Sequence, residues 1–303
     1  MTPSGPSSPL VECVPNLSEG RDREVIAALE AAAAAAEGVE LLDSHSDPDH
    51  NRTVLTFAGP PPQVLLATMR LAREAVKSID MRAHSGVHPR MGAIDVIPFV
   101  PLRATSLESC AELAREMARY LGEELQVPAF LYGAAAERPR SLHDIRGAGN
   151  LSVDAMSKRL RPPDFGPPVP HPTAGASAVG ARQPLIAFNV NLDADLEVAE
   201  RIARAMRASS GGLREVQALA FPLHSRGLVQ VSMNLLDYRV TGLSQVLLRA
   251  RELAADAGVG LVGCELVGLL PAAAMEGLET ETMPGIPRPE DTIESRLARA
   301  GLG

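Results

Sequence analysis

Hydrophobic positions along the chain recur first at strand spacing and then at helix spacing, and the alternation predicts two related halves. Leu10 to Val14 is a short apolar run that predicts a buried strand. A helix follows from about Asp22 to Glu37, with Ser18 or Asp22 available as its cap and Gly38 as its stop. Val39 to Asp43 predicts a strand, Ser44 to His50 a polar loop, and Arg52 to Ala58, rich in β-branched residues, another strand. Pro60, Pro61 and Pro62 open a helix over Gln63 to Ser78, where Val64, Leu65, Thr68, Leu71, Ala72 and Ala75 share one face. A strand near Ala93 to Phe99, a helix from Ser106 to Leu121 and a strand at Ala129 to Tyr132 complete this half.

From Glu137 to Ala181 proline and glycine become dense, and one short helix around Val153 to Leu160 is all the pattern supports. The segment reads as a linker or an ordered crossover. Then the pattern restarts. Leu185 to Asn191, Val216 to Phe221, Val229 to Leu235 and Gly260 to Leu266 predict strands, with helices over Leu196 to Ser209 and Thr241 to Ala257. This β-α-β-β-α-β order is the split βαβ unit, and the first half is the same unit with an added strand, helix and strand. The expected fold is therefore α+β: two ferredoxin-like subdomains with mixed or antiparallel sheets facing a central cleft and helices outside. Residues 1–9 are expected as a disordered tail, 10–180 as the first subdomain with its crossover at 137–180, 181–275 as the second, and 276–303 as a peripheral tail.

Bulk properties narrow the function classes. With 46% hydrophobic and 22% charged residues, the 303-residue chain reads as globular, and a net charge of −8 disfavours broad nucleic-acid binding. Ala31 to Ala36 is far too short to cross a membrane, and the first residues lack a signal-peptide pattern, so the cytoplasm is the expected compartment. Cys13, Cys110 and Cys264 are odd in number and widely spaced, which supports neither a disulfide framework nor a zinc ribbon.

The densest chemistry lies in His84-Ser-Gly-Val-His88-Pro-Arg90-Met-Gly92-Ala-Ile-Asp95. Two imidazoles able to exchange protons near neutrality stand beside a guanidinium suited to carboxylates and an aspartate able to orient a ring. A helical zinc pair is disfavoured, because no glutamate intervenes and Pro89 turns His88 away from helical angles. A plain polar loop is the bland alternative. A second polar stretch, Asp43 to Thr53, contains His45, Asp47, Asp49, His50, Asn51 and Arg52; its turn chemistry accounts for part of it, and metal binding ranks below substrate binding. Asn189 and Asn191 alternate on one strand, and Gln230, Ser232 and Asn234 on another, which fits either a solvated sheet face or a polar-lined crevice. The two strands together favour the crevice.

Cys13-Val-Pro-Asn16-Leu-Ser-Glu-Gly20, Asn51-Arg-Thr-Val54, His84-x3-His88-Pro-Arg-Met-Gly-Ala93, Asp164-Phe-Gly-Pro167, Gly180-Ala-Arg182, Ala187-Phe-Asn-Val-Asn-Leu192, Val231-Ser-Met-Asn-Leu-Leu236 and Leu266-Val-Gly-Leu-Leu-Pro271 resemble, in order, the glutamate formimidoyltransferase family. The resemblance implies transfer of a formimidoyl group from N-formimidoyl-L-glutamate to N5 of tetrahydrofolate in histidine breakdown, around a ligand tunnel, by a homodimer. By its place in the motif His88 matches the family's catalytic histidine. Asp43 and Asp95 are the candidate carboxylates beside it. Asn16, His45, Asn51, Arg52, His84, Arg90, Gly92, Arg182, Asn189, Asn191, Gln230 and Asn234 are the candidate substrate and folate contacts, with Arg52, Arg90 and Arg182 as forks for the substrates' carboxylates. One departure stands out: His45 replaces an aspartate of the bifunctional relative, which joins this domain to a cyclodeaminase. Rival readings are formyl transfer at the same site, a metal-dependent hydrolase and a non-catalytic folate-binding protein.

Overall fold

The computed structural model describes residues 8–146, 162–278 and 281–303. It divides into two compact units, Met1–Arg182 and Gln183–Gly303. In the first unit the elements run β1 (Val11–Cys13), β2 (Asn16–Leu17), α1 (Arg23–Ala34), β3 (Glu40–Asp47), β4 (Arg52–Gly59), α2 (Pro61–Ser78), β5 (Ile94–Pro101), α3 (Leu107–Glu123), β6 (Ala129–Gly133), α4 (Leu142–Arg146) and β7 (Ser177–Ala181). Pro15 separates β1 from β2, and both halves of this broken strand pair antiparallel with β4 and β5. The sheet order is β3-β4-(β1/β2)-β5-β7-β6, antiparallel as far as β5 and parallel from β5 through β7 to β6.

The second unit contains β8 (Ile186–Leu192), α5 (Leu196–Met206), β9 (Val216–Leu223), β10 (Leu228–Leu235), α6 (Leu243–Asp256), β11 (Leu261–Val267) and α7 (Ile293–Arg299). Its sheet is wholly antiparallel in the order β11-β8-β10-β9. Numbered within the unit this is 4-1-3-2. The first unit's β5-(β1/β2)-β4-β3 repeats that order, so the expected duplication of a split βαβ unit holds, with α3, β6 and β7 added to the first copy.

Each sheet buries one face against its helices. In the first unit Cys13, Leu17, Leu55, Phe57, Ile97 and Phe99 join Leu29, Leu71 and Met117 in one core. In the second, Phe188, Val190, Val231 and Met233 meet Ile202, Met206, Val246 and Leu247. The helix caps follow the sequence reading: Asp22 accepts from the Glu24 and Val25 amides, and Pro60 precedes a proline-opened α2. The three thiols are buried, and burial pushes each up to about 12, which favours the neutral thiol.

Several elements differ from the sequence expectation. Ser44 to Asp47 continues β3 rather than forming a loop, because its backbone pairs with β4 from Leu55 to Arg52. Polar residues mask a strand when the face they occupy carries chemistry instead of a core. Ser177-Ala-Val-Gly-Ala181 is a central parallel strand inside the segment expected as a crossover; all five residues are buried and too small to show a strand's alternation. α5 ends at Met206, before a short turn at Ala208–Ser210. The segment beyond Met275, expected as a peripheral tail, holds an Arg251–Glu281 ion pair, a Cys264 amide bond to the Pro284 carbonyl and a pairing of Leu270 with Thr292. The expected helix over Val153 to Leu160 lies outside the described residues, as do most of residues 1–9. Among the described residues, no helix is long and apolar enough to cross a membrane.

Candidate active site

The β3–β4 turn and the connection from α2 to β5 are knitted together by two buried side chains. Asn51 takes a left-handed backbone conformation, φ 47°, which asparagine tolerates better than most residues. Its Oδ1 accepts from the Gly20 amide at 2.9 Å, and its Nδ2 donates to the Ser85 carbonyl at 3.0 Å and to His84 Nδ1 at 3.3 Å. Arg90 is 4% exposed. Its Nε donates to the His88 carbonyl at 3.1 Å, its Nη1 to the Asn51 carbonyl at 2.6 Å and its Nη2 to the His50 carbonyl. A guanidinium directed at three backbone carbonyls is a clamp. Three of the N–H donors of Arg90 thus close the loop that carries His88.

His84 is likewise inward. Burial, reinforced by the positive charges of Arg90 and Arg21, lowers its pKa to about 4, so the ring is neutral throughout the working range and Nδ1 can accept from Asn51. His88 is half-buried, and its Nδ1 lies 2.8 Å from the Pro89 carbonyl. A carbonyl can only accept, so Nδ1 donates the proton and the neutral ring has its basic lone pair on Nε2. Of the two histidines in the loop, His88 has the geometry of a base.

Asp95 also bonds within the loop. Its Oδ1 accepts from the Met91 amide at 2.8 Å and the residue is 4% exposed, so it closes the turn into β5. Gly92 serves a close approach: a Cβ there would meet the Ala176 carbonyl oxygen at 2.0 Å and that of Ala174 at 2.9 Å. The surrounding backbone bonds, Ala93 to Ala174 and Ala176 to Met91, both 2.9 Å, hold those strands tight. Gly92→Ala is expected to force them apart and destabilise the protein by about 1–3 kcal/mol; urea denaturation checks it, and an unchanged midpoint would refute it.

The sheet face away from the helices carries the remaining first-unit candidates. Across β5-β2-β4-β3 the register places Val96, Asn16, Val54 and His45 in one row, with Asp43 opposite Thr56 and Asp47 opposite Arg52 beside it. Directly opposed residues share a face, so Asn16, Asp43, His45, Asp47 and Arg52 come together, and Arg52 Nη2 donates to Asn16 Oδ1. Met91, Phe130, Tyr132, Ala176 and Ala178 form an apolar cluster with Val96. Arg182 follows β7, its amide donating to the Phe99 carbonyl at 3.2 Å.

The second unit's helix-free face holds an amide network. Gln230 Nε2 donates to Asn191 Oδ1 and to Glu265 Oε2, both at 3.0 Å, and Asn189 Nδ2 donates to the same carboxylate oxygen at 3.1 Å. Gln230, Asn189 and Asn191 are all buried, which removes the solvated-face alternative for them; Asn234, opposite Ala187 and Gln217, is half-buried. Two residues absent from the candidate set lie beside candidates, each within its own unit. Glu265, a lone carboxylate in the apolar strand Leu-Val-Gly-Cys-Glu-Leu-Val, could have been flagged as anomalous. His50, buried with its ring centroid 5.8 Å from that of His88, had no sequence signal pointing to that contact.

Comparison with known proteins gives two family matches that together span most of the chain: the formiminotransferase domain's N-terminal subdomain over residues 10–182, and the formiminotransferase domain over residues 187–280. The chain is 45% identical to a glutamate formimidoyltransferase of Thermoplasma acidophilum, covering 88% of this chain and 89% of the relative. It is 41% identical to one of Streptococcus pyogenes, covering 88% and 90%. It is also 44% identical to the formimidoyltransferase-cyclodeaminase of Rattus norvegicus, covering 88% of this chain but 51% of that longer protein, so it spans about half the length of such relatives.

Proposed function

Since the chain belongs to the formiminotransferase family, we propose that it transfers the formimidoyl group of N-formimidoyl-L-glutamate to N5 of tetrahydrofolate, with His88 moving the protons. One observation carries the assignment of His88: its Nδ1 proton is committed to the Pro89 carbonyl, which leaves Nε2 as the basic nitrogen. The chemistry needs such a group twice. N5 attacks the formimidoyl carbon, and the tetrahedral adduct must lose the N5 proton, which His88 Nε2 accepts as general base. The glutamate nitrogen must then be protonated before its bond to that carbon breaks, and the imidazolium returns the proton as general acid. Glutamate leaves, and 5-formimidoyltetrahydrofolate is the product.

The other candidates divide by chemistry. The donor's formimidoyl group is cationic near neutrality, and Asp43, on the polar sheet face, is the carboxylate assigned to it. Arg52 and Arg182 are assigned to substrate carboxylates, with Asn16 and His45 beside Arg52. Asn189, Asn191, Gln230 and Asn234 supply the amide donors and acceptors that the folate's polar edges require. Arg90, Asn51, His84, Gly92 and Asp95 build the loop and do not bind in this reading. Holding both substrates in reacting geometry would itself supply on the order of 7–11 kcal/mol of barrier reduction. The reading includes action in the cytoplasm as a homodimer.

The test is direct. Purified protein mixed with N-formimidoyl-L-glutamate and tetrahydrofolate should release free glutamate and form the 5-formimidoyl adduct, faster than with N-formyl-L-glutamate. Folate binding without glutamate release would refute transfer, and preference for the formyl donor would replace it with formyl exchange.

A further inference from the structure

The side-chain amides on the helix-free face of the second unit have their polarity set by one acid. The register places Glu265 opposite Asn189 and Gln230 opposite Asn191. An ionised carboxylate only accepts, so Asn189 turns its Nδ2 to Glu265 Oε2, and Gln230 turns its Nε2 to the same oxygen. Arg226 Nη2 stands 3.8 Å from the other oxygen of that carboxylate. The Gln230 Nε2 also donates to Asn191 Oδ1 at 3.0 Å, which turns Asn191 Nδ2 the other way. Glu265 thus orders three amides. The network ends in an acceptor, Asn189 Oδ1, and a donor, Asn191 Nδ2, and neither makes a hydrogen bond among the described residues. Asn189 is 4% and Asn191 9% exposed, and polar atoms so buried are normally paired. On the same face Leu219 and Phe221 of β9, opposite Ser232 and Gln230, supply an apolar flank.

We propose that Asn189 and Asn191 read the 2-amino-4-oxo edge of the pterin ring, Asn189 Oδ1 accepting from its N–H groups and Asn191 Nδ2 donating to its carbonyl oxygen, with Glu265 as the positioning residue that sets their polarity. One acceptor and one donor complement an edge with N–H groups at one end and a carbonyl at the other. Other parts of the two substrates fit less well. The carboxylates of glutamate offer acceptors only, and would meet Asn189 Oδ1 and Glu265 with no donor between them. The benzoyl amide of folate is trans, with N–H and C=O on opposite sides, and cannot address both asparagines from one side. Leu219 and Phe221 suit a planar heterocycle rather than a charged flexible tail. This inference rests on the reading that the amide face binds folate.

Calorimetric titration with tetrahydrofolate and with its 4-amino-4-deoxy analogue, in which an amino donor replaces the carbonyl, tests this without turnover. The unaltered protein should bind the analogue on the order of tenfold to a hundredfold more weakly, since a donor would then face the Asn191 donor. Asn191→Asp keeps the acceptor for Gln230 and replaces the donor by a second acceptor, so the preference should reverse towards the analogue. Glu265→Leu removes the group that orders the amides and should bring the two affinities within about threefold. Equal binding of the two ligands by the unaltered protein overturns the inference, as does an unchanged preference in a folded Asn191→Asp or Glu265→Leu protein. Should neither variant fold, the preference of the unaltered protein decides. A protein that binds neither ligand refutes the folate reading and the inference with it; binding without discrimination refutes the inference alone.

Discussion

His88→Ala is expected to lower kcat for formimidoyl transfer by on the order of 10²–10⁴-fold, the usual contribution of a positioned general acid–base group, while leaving the affinity for tetrahydrofolate within a few-fold of its original value. The expectation follows from what His88 touches. Its side chain is half-buried, and its Nδ1 bond is to the carbonyl of the next residue. Arg90, by contrast, still holds the His88 backbone through its carbonyl, which alanine retains. The loop should keep its course and the melting temperature should change little. Loss of turnover with preserved binding and stability is the pattern of a group needed only in the transition state. Exogenous imidazole, able to enter the space left by the ring, should restore part of the rate. Turnover within threefold of the unaltered protein (about 0.7 kcal/mol by the rate–energy relation) would remove His88 from the mechanism.

The sequence was most informative where elements are long and one face is apolar. Every strand and helix of the second unit's repeat was legible, because Phe188, Val190, Val231 and Met233 alternate cleanly against helices with a single buried stripe. Legibility failed where a strand carries chemistry or lies in the middle of a sheet. Ser44 to Asp47 has the composition of a turn, and β7 has the composition of a linker; in both, the pairing partner decides the conformation. The site shows the same division. The presence of a proton-transfer loop at His84 to Asp95 could be read from residue types alone. Which of its members act and which build could not, since that depends on carbonyls 39 and 40 residues away in sequence from Arg90. For the arginine, the aspartate and the first histidine, residue type does not reveal the bonds each makes inside the loop. His50 shows the reverse, a residue in a turn whose ring lies beside that of His88 from a distant part of the sequence.

Arg90→Ala is expected to be the most damaging substitution to stability in the site, costing about 3–5 kcal/mol, comparable to the removal of one partner from a buried charged contact. Three carbonyls, those of His50, Asn51 and His88, lose a charged donor, and each buried acceptor left without one costs about 1–3 kcal/mol. Water entering the space would recover part of that, which is why the total lies below the sum. Arg90→Lys should rescue little. One ammonium has three donors on a tetrahedral centre and cannot reproduce a planar fork directed at carbonyls on two segments. The catalytic consequence should follow the structural one, because both His50 and His88 hang from the guanidinium; kcat should fall with stability even though Arg90 touches no substrate in this assignment. Guanidinium chloride unfolding and steady-state kinetics on the same preparations separate the possibilities. A variant as stable as the unaltered protein but with a greatly raised KM for formimidoylglutamate would return Arg90 to the role of carboxylate fork. A large loss of stability in which kcat falls and the KM of the surviving folded fraction stays normal fits a clamp, and ties the orientation of the proton-transfer histidine to a single buried side chain on its own loop.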